Sequence, residues 1–239
     1  MAIFVTSDEH YGHRNILKFC KRPFADIFEM REALIAAHNA KVTKGDLTYH
    51  LGDMFWRTTS IAEALLILSL LNGQHALVWG NHDEVIEASA EIRAKFTKIG
   101  DVLVLNGSEL NPKIVLCHYA MRVWRGSHNG TWQLYGHSHA ALPEANTLSF
   151  DVGVDTRPDF APWSMQEIAD KMKAKKAAGA KDLMSAVIEA EPWNKDENAE
   201  AAYPILPMPC IPPAVWDAIR ECESIINHDD YDSNGRCVD

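Results

Sequence analysis

The sequence has no cysteine framework. Its five cysteines (Cys20, Cys117, Cys210, Cys222 and Cys237) are scattered, odd in number and without a CxxC pair. That excludes a disulfide scaffold and reads as reduced thiols in a cytoplasmic protein. Long apolar runs are missing too. The longest, Ala64 to Leu71, falls far short of the ~20 residues a membrane span requires, so no membrane partner is expected. The opening Met1-Ala2-Ile3-Phe4-Val5-Thr6-Ser7-Asp8 has no basic region and reaches a carboxylate too early for a signal peptide. Basic charge is scarce. The net charge is −10, of which residues 189–239 contribute −9, with twelve acids against three bases. The body is therefore nearly neutral, and a long nucleic acid is a disfavoured partner. No internal repeat is present.

What the chain does have is ordinary globular composition, 47% hydrophobic and 23% charged, which excludes a mainly disordered protein. Its 239 residues suit one domain with an appendage, large enough to bury a core without a staple. Ile3 to Ser7 reads as a short strand, Phe28 to Val42 as a helix and Thr48 to Leu51 as a strand. Ile61 to Leu71 reads as a helix, Ala76 to Trp79 as a strand, and Glu84 to Phe96 as a helix with Ile92 and Phe96 inward. After Gly100 the pattern predicts strands at Val102–Leu105, Ile114–Cys117, Gln133–Tyr135 and Leu148–Val152. Ser164, with Glu167 three residues on, predicts a capping box and a helix to about Lys176. Alternating strands and helices followed by a run of strands indicate a layered α/β or α+β fold.

Ala178-Gly179 ends that regime. The domain division expected is 1–178 for the body and 179–239 for an acidic, proline-rich extension. Within the extension, Lys181 to Ala190 reads as helical and Pro192 to Pro213, with six of the eleven prolines, as irregular. Val215, Trp216, Ile219, Cys222 and Ile226 mark an amphipathic helix expected to dock on the body or to join two copies in a homo-oligomer. Asp229 to Asp239 reads as a loose end.

The chemistry lies where metal-ligand residue types fall. Asp8 and His10 follow the first strand, Gly52-Asp53 the second, and Gly80-Asn81-His82-Asp83 the third. His118 follows Ile114–Cys117, and Gly136-His137-Ser138-His139 follows Gln133–Tyr135. Carboxyl ends of strands are where ligands of open α/β sheets gather. Asp8, His10, Asp53, Asn81, His118, His137 and His139 give seven donors, enough for two divalent ions if Asp53 bridges them. Mixed carboxylate, imidazole and amide oxygen donors suit Mn, Fe or Zn, with Mn favoured, better than Mg or Ca. Each motif alone has a bland reading: an Asx turn at Asp8, a helix cap at Asp83, a histidine pair on a loop. Five in order at successive strand ends outweigh it.

This ordered series resembles the five motifs of the calcineurin-like metallophosphoesterases. Tyr49-His50-Leu51-Gly52-Asp53 and His118-Tyr119-Ala120-Met121-Arg122-Val123-Trp124 are similar to the small, uncapped bacterial and phage members. The resemblance covers about residues 1–176. It implies a four-layer α-β-β-α sandwich of two mixed sheets. It also implies one ion on Asp8, His10, Asp53 and His139 and another on Asp53, Asn81, His118 and His137. A metal-bridging hydroxide would attack phosphorus, while His82 protonates the leaving group with its ring oriented by Asp83. Met54-Phe55-Trp56 departs from the Val-Asp-Arg-Gly wording of Ser/Thr protein phosphatases, and the gaps His82–His118 and His118–His137 are too short for a cap domain.

The expected activity is a dinuclear-metal phosphoester hydrolase, a phosphodiesterase by preference, since an uncapped site admits a group on each side of the phosphate. The substrate class includes nucleotide-containing phosphoesters. The alternatives are a phosphomonoesterase of the same fold, a non-catalytic metal-binding scaffold, and a nucleic-acid binder with structural metals. His13, Arg14, Arg22 and Arg122 are candidates for substrate contact, with Arg57, Arg125 and His128 behind them. Trp56, Trp124 and Trp132 are either base-stacking or packed. His38, His50 and His75 show no partner pattern and read as structural.

Overall fold

Strand β1, Ile3–Thr6, is the organising element of the computed structural model, which describes residues 1–106 and 112–180. It is followed by a short helix α1 (Ile16–Phe19), helix α2 (Ile27–Lys41), strand β2 (Leu47–His50), helix α3 (Ile61–Leu70) and strand β3 (Gln74–Val78). Asp26 starts α2 by accepting the N–H groups of Phe28 and Glu29, and Ser60 starts α3 by accepting that of Glu63.

The helix expected from Glu84 to Phe96 is instead two short ones, α4 (Glu84–Ala88) and α5 (Ala90–Arg93), followed by strand β4 (Phe96–Gly100). Ser89 makes the break: its backbone is extended and its hydroxyl accepts the N–H of Ile92, capping a new helix. Ile92 and Phe96 are buried as expected, but Phe96 gets there on a strand. Strands β5 (Val102–Leu105), β6 (Ile114–Cys117), β7 (Trp132–Tyr135) and β8 (Ser149–Asp151) follow. The two-residue β9 (Trp163–Ser164) then leads into helix α6 (Met165–Ala177), whose capping box of Ser164 and Glu167 is complete. Neither α1 nor β9 is visible in the sequence pattern.

Two mixed sheets result. The first has the order β4-β3-β2-β1-β9, with β1 to β4 parallel and β9 antiparallel to β1. The second has the order β5-β6-β7-β8, with β5 antiparallel to β6 and the others parallel. One core cluster joins Met30 and Leu34 of α2 and Ala64 and Ile67 of α3 to Leu77, Ile86 and Ile92. A second joins Val5 and Val78 of the first sheet, and Leu51 just past β2, to Leu116, Leu134 and Phe150 of the other sheet, with Ile168 and Met172 of α6. The sheets thus share an apolar filling, and helices close the structure around it.

On the other face of β7, the buried Gln133 donates to the Tyr119 carbonyl and accepts the Met121 N–H, pinning the segment after β6. Beyond β1, Ser7 forms an isolated bridge with Gly153, which follows β8. That contact brings the carboxyl ends of both sheets to one place. No helix among the described residues is long and apolar enough to cross a membrane. The helices expected at Lys181–Ala190 and Val215–Ile226, the proline-rich stretch and the end of the extension lie outside the described residues.

Candidate active site

All seven expected donors sit on loops that leave the carboxyl ends of parallel strands: β1, β2 and β3 in one sheet, β6 and β7 in the other. The loops are unusual. Asp8, His10, Asp53, His137 and His139 all have positive φ, between 46° and 66°. Side chains rarely adopt that region, so five such residues around one cavity mark a place where geometry overrides backbone preference. Two glycines allow the loops to nest. A Cβ on Gly52 (φ 91°) would lie 2.5 Å from the backbone of Gly80, and one on Gly136 would lie 2.5 Å from Asp8 Oδ2.

The donor atoms converge in two groups, Asp8 with His10 and His139, and Asp53 with His118 and His137. Asp53 joins them: its Oδ2 lies 3.5 Å from His10 Nε2 and 3.6 Å from His118 Nε2. The amide oxygen of Asn81 completes the second group, 3.0 Å from His118 Nε2, with His137 Nδ1 at 3.2 Å.

The tautomers follow from the partners. His118 Nδ1 is 2.7 Å from the Leu51 carbonyl, which only accepts, so Nδ1 carries the proton and Nε2 a lone pair. That lone pair faces the carboxylate of Asp53, the amide oxygen of Asn81 and a ring nitrogen of His137. His10 Nε2 is buried without a hydrogen-bond partner. Lone pairs converging in a buried place are costly unless a cation satisfies them, so the residues fit a divalent metal site. Burial also holds Asp8 well above the ordinary carboxylate range and pushes His10 down to about 2. A bound dication reverses the carboxylate's preference and needs the histidine neutral. In His139 burial opposes the charge, yet the Asp155 carboxylate, 2.7 Å from Nδ1, raises it to about 10. Its ring therefore favours positive charge at Nε2, whether proton or cation.

Three readings of the sequence change here. Arg22 is not a substrate contact. It is buried, donating through Nε and Nη2 to Asp155 at 2.8 Å and to the carbonyls of Glu9 and Asp8 at 2.8 and 2.7 Å. Long-range pairing with a residue 133 positions away converts an arginine beside the site into the brace of the first loop. Asp83 does not orient the His82 ring either. Its carboxylate accepts the N–H groups of Asp53, Met54 and Gly80 at 3.1, 3.0 and 2.8 Å, locking the second and third loops together. Burial raises its pKa to about 7 against those bonds. Nor does it cap α4, whose N-terminus has no side-chain hydrogen bond.

His82 is held otherwise. Its N–H donates to Asp53 Oδ1 at 2.9 Å, and its ring packs 4.8 Å from that of Trp56. Trp56 in turn stacks on His13, centroids 3.6 Å apart and planes 2° apart. Arg14 and Arg122 are exposed and neither lines the cavity, whereas His13 does. Trp124 and Trp132 are buried, so packing is their role.

Two features escaped the sequence reading. One is Asp155, which ties His139 to Arg22; its signal is a second acid just past β8, the neighbour of β7. Burial raises its pKa, but Arg22 and His139 outweigh this and hold it at about 2. The other is a buried chain under the first loop. Glu9 Oε1 lies 2.5 Å from His50 Nδ1, and His50 Nε2 lies 3.1 Å from His75 Nδ1. His38 stacks beside His50. These histidines, for which the sequence shows no partner pattern, form a partnered, buried cluster.

Five of the seven donors, His10, Asp53, Asn81, His137 and His139, line an open cavity of about 390 Å³. A larger one, about 670 Å³, lies by Lys113 and His128 at the amino end of β6, away from the donors. The family model for calcineurin-like phosphoesterases matches residues 1–146. The chain belongs to that family. As a calcineurin-like phosphoesterase it is a metal-dependent phosphoester hydrolase in general terms. An uncharacterized protein of Methanocaldococcus jannaschii is 34% identical over 138 residues, 58% of this chain and 69% of that one. A crystal structure of a protein of unknown function from Aquifex aeolicus has a similar fold, with a TM-score of 0.57 at 24% identity, covering 72% of this chain and 98% of that one.

Proposed function

We propose that this phosphoesterase is a dinuclear-metal phosphodiesterase. One ion would be held by Asp8, His10, Asp53 and His139, and the other by Asp53, Asn81, His118 and His137. The observation that carries the reading is the single carboxylate oxygen of Asp53 placed between His10 and His118. Two divalent ions, manganese by preference, supply Lewis-acid polarisation of the phosphoryl oxygens and a nucleophile available at neutral pH. The chain's own residues do the rest. Asn81, exposed at the cavity rim, holds a non-bridging oxygen in register. His82, half-buried and fixed through its backbone to Asp53, delivers a proton to the departing oxygen. His10 and Asp53 form the floor and keep water out from below. The open cavity leaves room for an ester group on either side of phosphorus, which favours diesters.

The test compares bis(4-nitrophenyl) phosphate with 4-nitrophenyl phosphate on manganese-loaded protein, with chelated protein as control. Faster turnover of the diester, abolished by chelation and by Asp53→Asn, supports the reading. Faster turnover of the monoester overturns the substrate preference, and undiminished activity after chelation overturns the mechanism. His82→Ala should keep its metals and lose about 10²–10⁴ in kcat, less for esters with good leaving groups.

A further inference from the structure

The cavity has two walls of opposite character. One is the donor set. The other is apolar: Ile16 and Phe19 of α1 and the indole of Trp56. Phe19 is 72% exposed and lines the cavity beside Ile16 and Trp56. Its neighbours form a graded series of rings. His13 meets Phe19 edge-on at 6.2 Å and lies flat on Trp56, so the three rings form one continuous side of the cavity. No lysine or arginine lines this cavity: Arg22 is spent on Asp155, and the nearby Arg57 guanidinium lies over the Trp56 ring, 5.3 Å from its centroid.

A site for an ester with several phosphates needs cations for the additional charges. This one offers rings instead. Resting on the phosphoesterase reading of the same site, we infer that the Phe19–Trp56 wall is a subsite for a flat, uncharged aromatic group carried by the phosphoester. The substrate class is then an ester with one phosphoryl centre and an aryl or nucleobase substituent, and not a polyphosphate. The occupant's size agrees: about 390 Å³ exceeds what a bare phosphate fills and suits a ring beside it. Ring stacking in such a place is sequence-tolerant and strong enough to set specificity.

The experiment uses phosphonates, which are not hydrolysed and so separate binding from leaving-group chemistry. Calorimetry on the manganese-loaded full chain compares phenylphosphonate with methylphosphonate. Tighter binding of the phenyl compound by about tenfold or more is expected. Phe19→Ala should cut that ratio severalfold, and because the ring is exposed the variant is expected to fold. Trp56→Leu should cut it as well. Leu66→Ala, an exposed apolar change outside the cavity, should leave the ratio as it is. Equal binding of both phosphonates, or a ratio that survives Phe19→Ala and Trp56→Leu, overturns the subsite while leaving the hydrolase reading intact. Binding of neither compound, together with no ester turnover, overturns both.

Discussion

Replacing Asp155 with asparagine tests how the site is braced. Asp155 accepts two bonds from Arg22 at 2.8 Å and one from His139 at 2.7 Å, and the Arg22 side chain is fully buried. Asparagine keeps the shape but removes the charge, so Arg22 becomes a buried cation without a counter-ion. Breaking one side of a buried pair costs about 3–5 kcal/mol. For a chain of this size that lowers Tm by about 6–20 °C.

A second effect acts on His139. The carboxylate fixes the proton on Nδ1, whereas an amide group turned to donate would move it to Nε2, the nitrogen left to bind a metal. Metal affinity should therefore fall about 10–100-fold. Thermal unfolding and a manganese titration read the two effects separately. Asp155→Asn combined with Arg22→Met should recover part of the Tm loss, since the orphaned charge is gone, but none of the affinity. A single variant with Tm within about 2 °C of the parent and unaltered manganese affinity would refute the bracing argument.

Gly136→Ala should abolish metal binding while leaving a folded protein, because the added methyl collides with the buried Ser7 and Asp8; metal analysis and circular dichroism decide it. Glu167 governs part of the acid stability. Burial raises its pKa, but Lys41, Ser164 and Arg157 outweigh that and lower it to about 2, below the unfolded value of about 4.3. Its contribution is thus present above the unfolded value and lost as pH falls through about 2, so Glu167→Gln should flatten the parent's loss of Tm between about pH 4.5 and 2. A chain ending at Gly179 should keep its metal and its turnover of a small diester, as the extension is proposed to be accessory. Loss of metal from that folded truncation would count against the proposal.

Much of the scaffold was legible because its signals are local. Ser164 and Glu167 announce the capping box of α6, and Gly52, Gly80, His118 and Gly136, each straight after a β-rich run, announce loops at strand ends. The donors could be gathered from sequence because successive parallel strands put their carboxyl ends side by side. What stayed hidden depends on distance. Arg22 and Asp155 meet across 133 positions, and nothing near either residue hints at the other. Asp83 looked like a partner for the preceding His82, yet its carboxylate turns back to three backbone N–H groups, two of them 29 and 30 residues earlier. Ser89 shows the opposite case. A residue that is neutral in a helical pattern ends the helix once its own hydroxyl offers the backbone a better bond.

The left-handed backbone at Asp8, His10, Asp53, His137 and His139 has a consequence for the protein's history and its engineering. Glycine would escape the Cβ penalty at each of these positions, about 1–2 kcal/mol for an ordinary side chain, although Asp8, Asp53 and His139 would lose hydrogen bonds by the change. His137 is the clearest case, at φ 66° and exposed, so that its replacement sacrifices little packing. Selection for heat resistance alone would then favour His137→Gly and dismantle the second donor group as it succeeded. Screens for sturdier versions of this chain should carry an activity filter from the first round, since the shortest path uphill in stability leads out of catalysis.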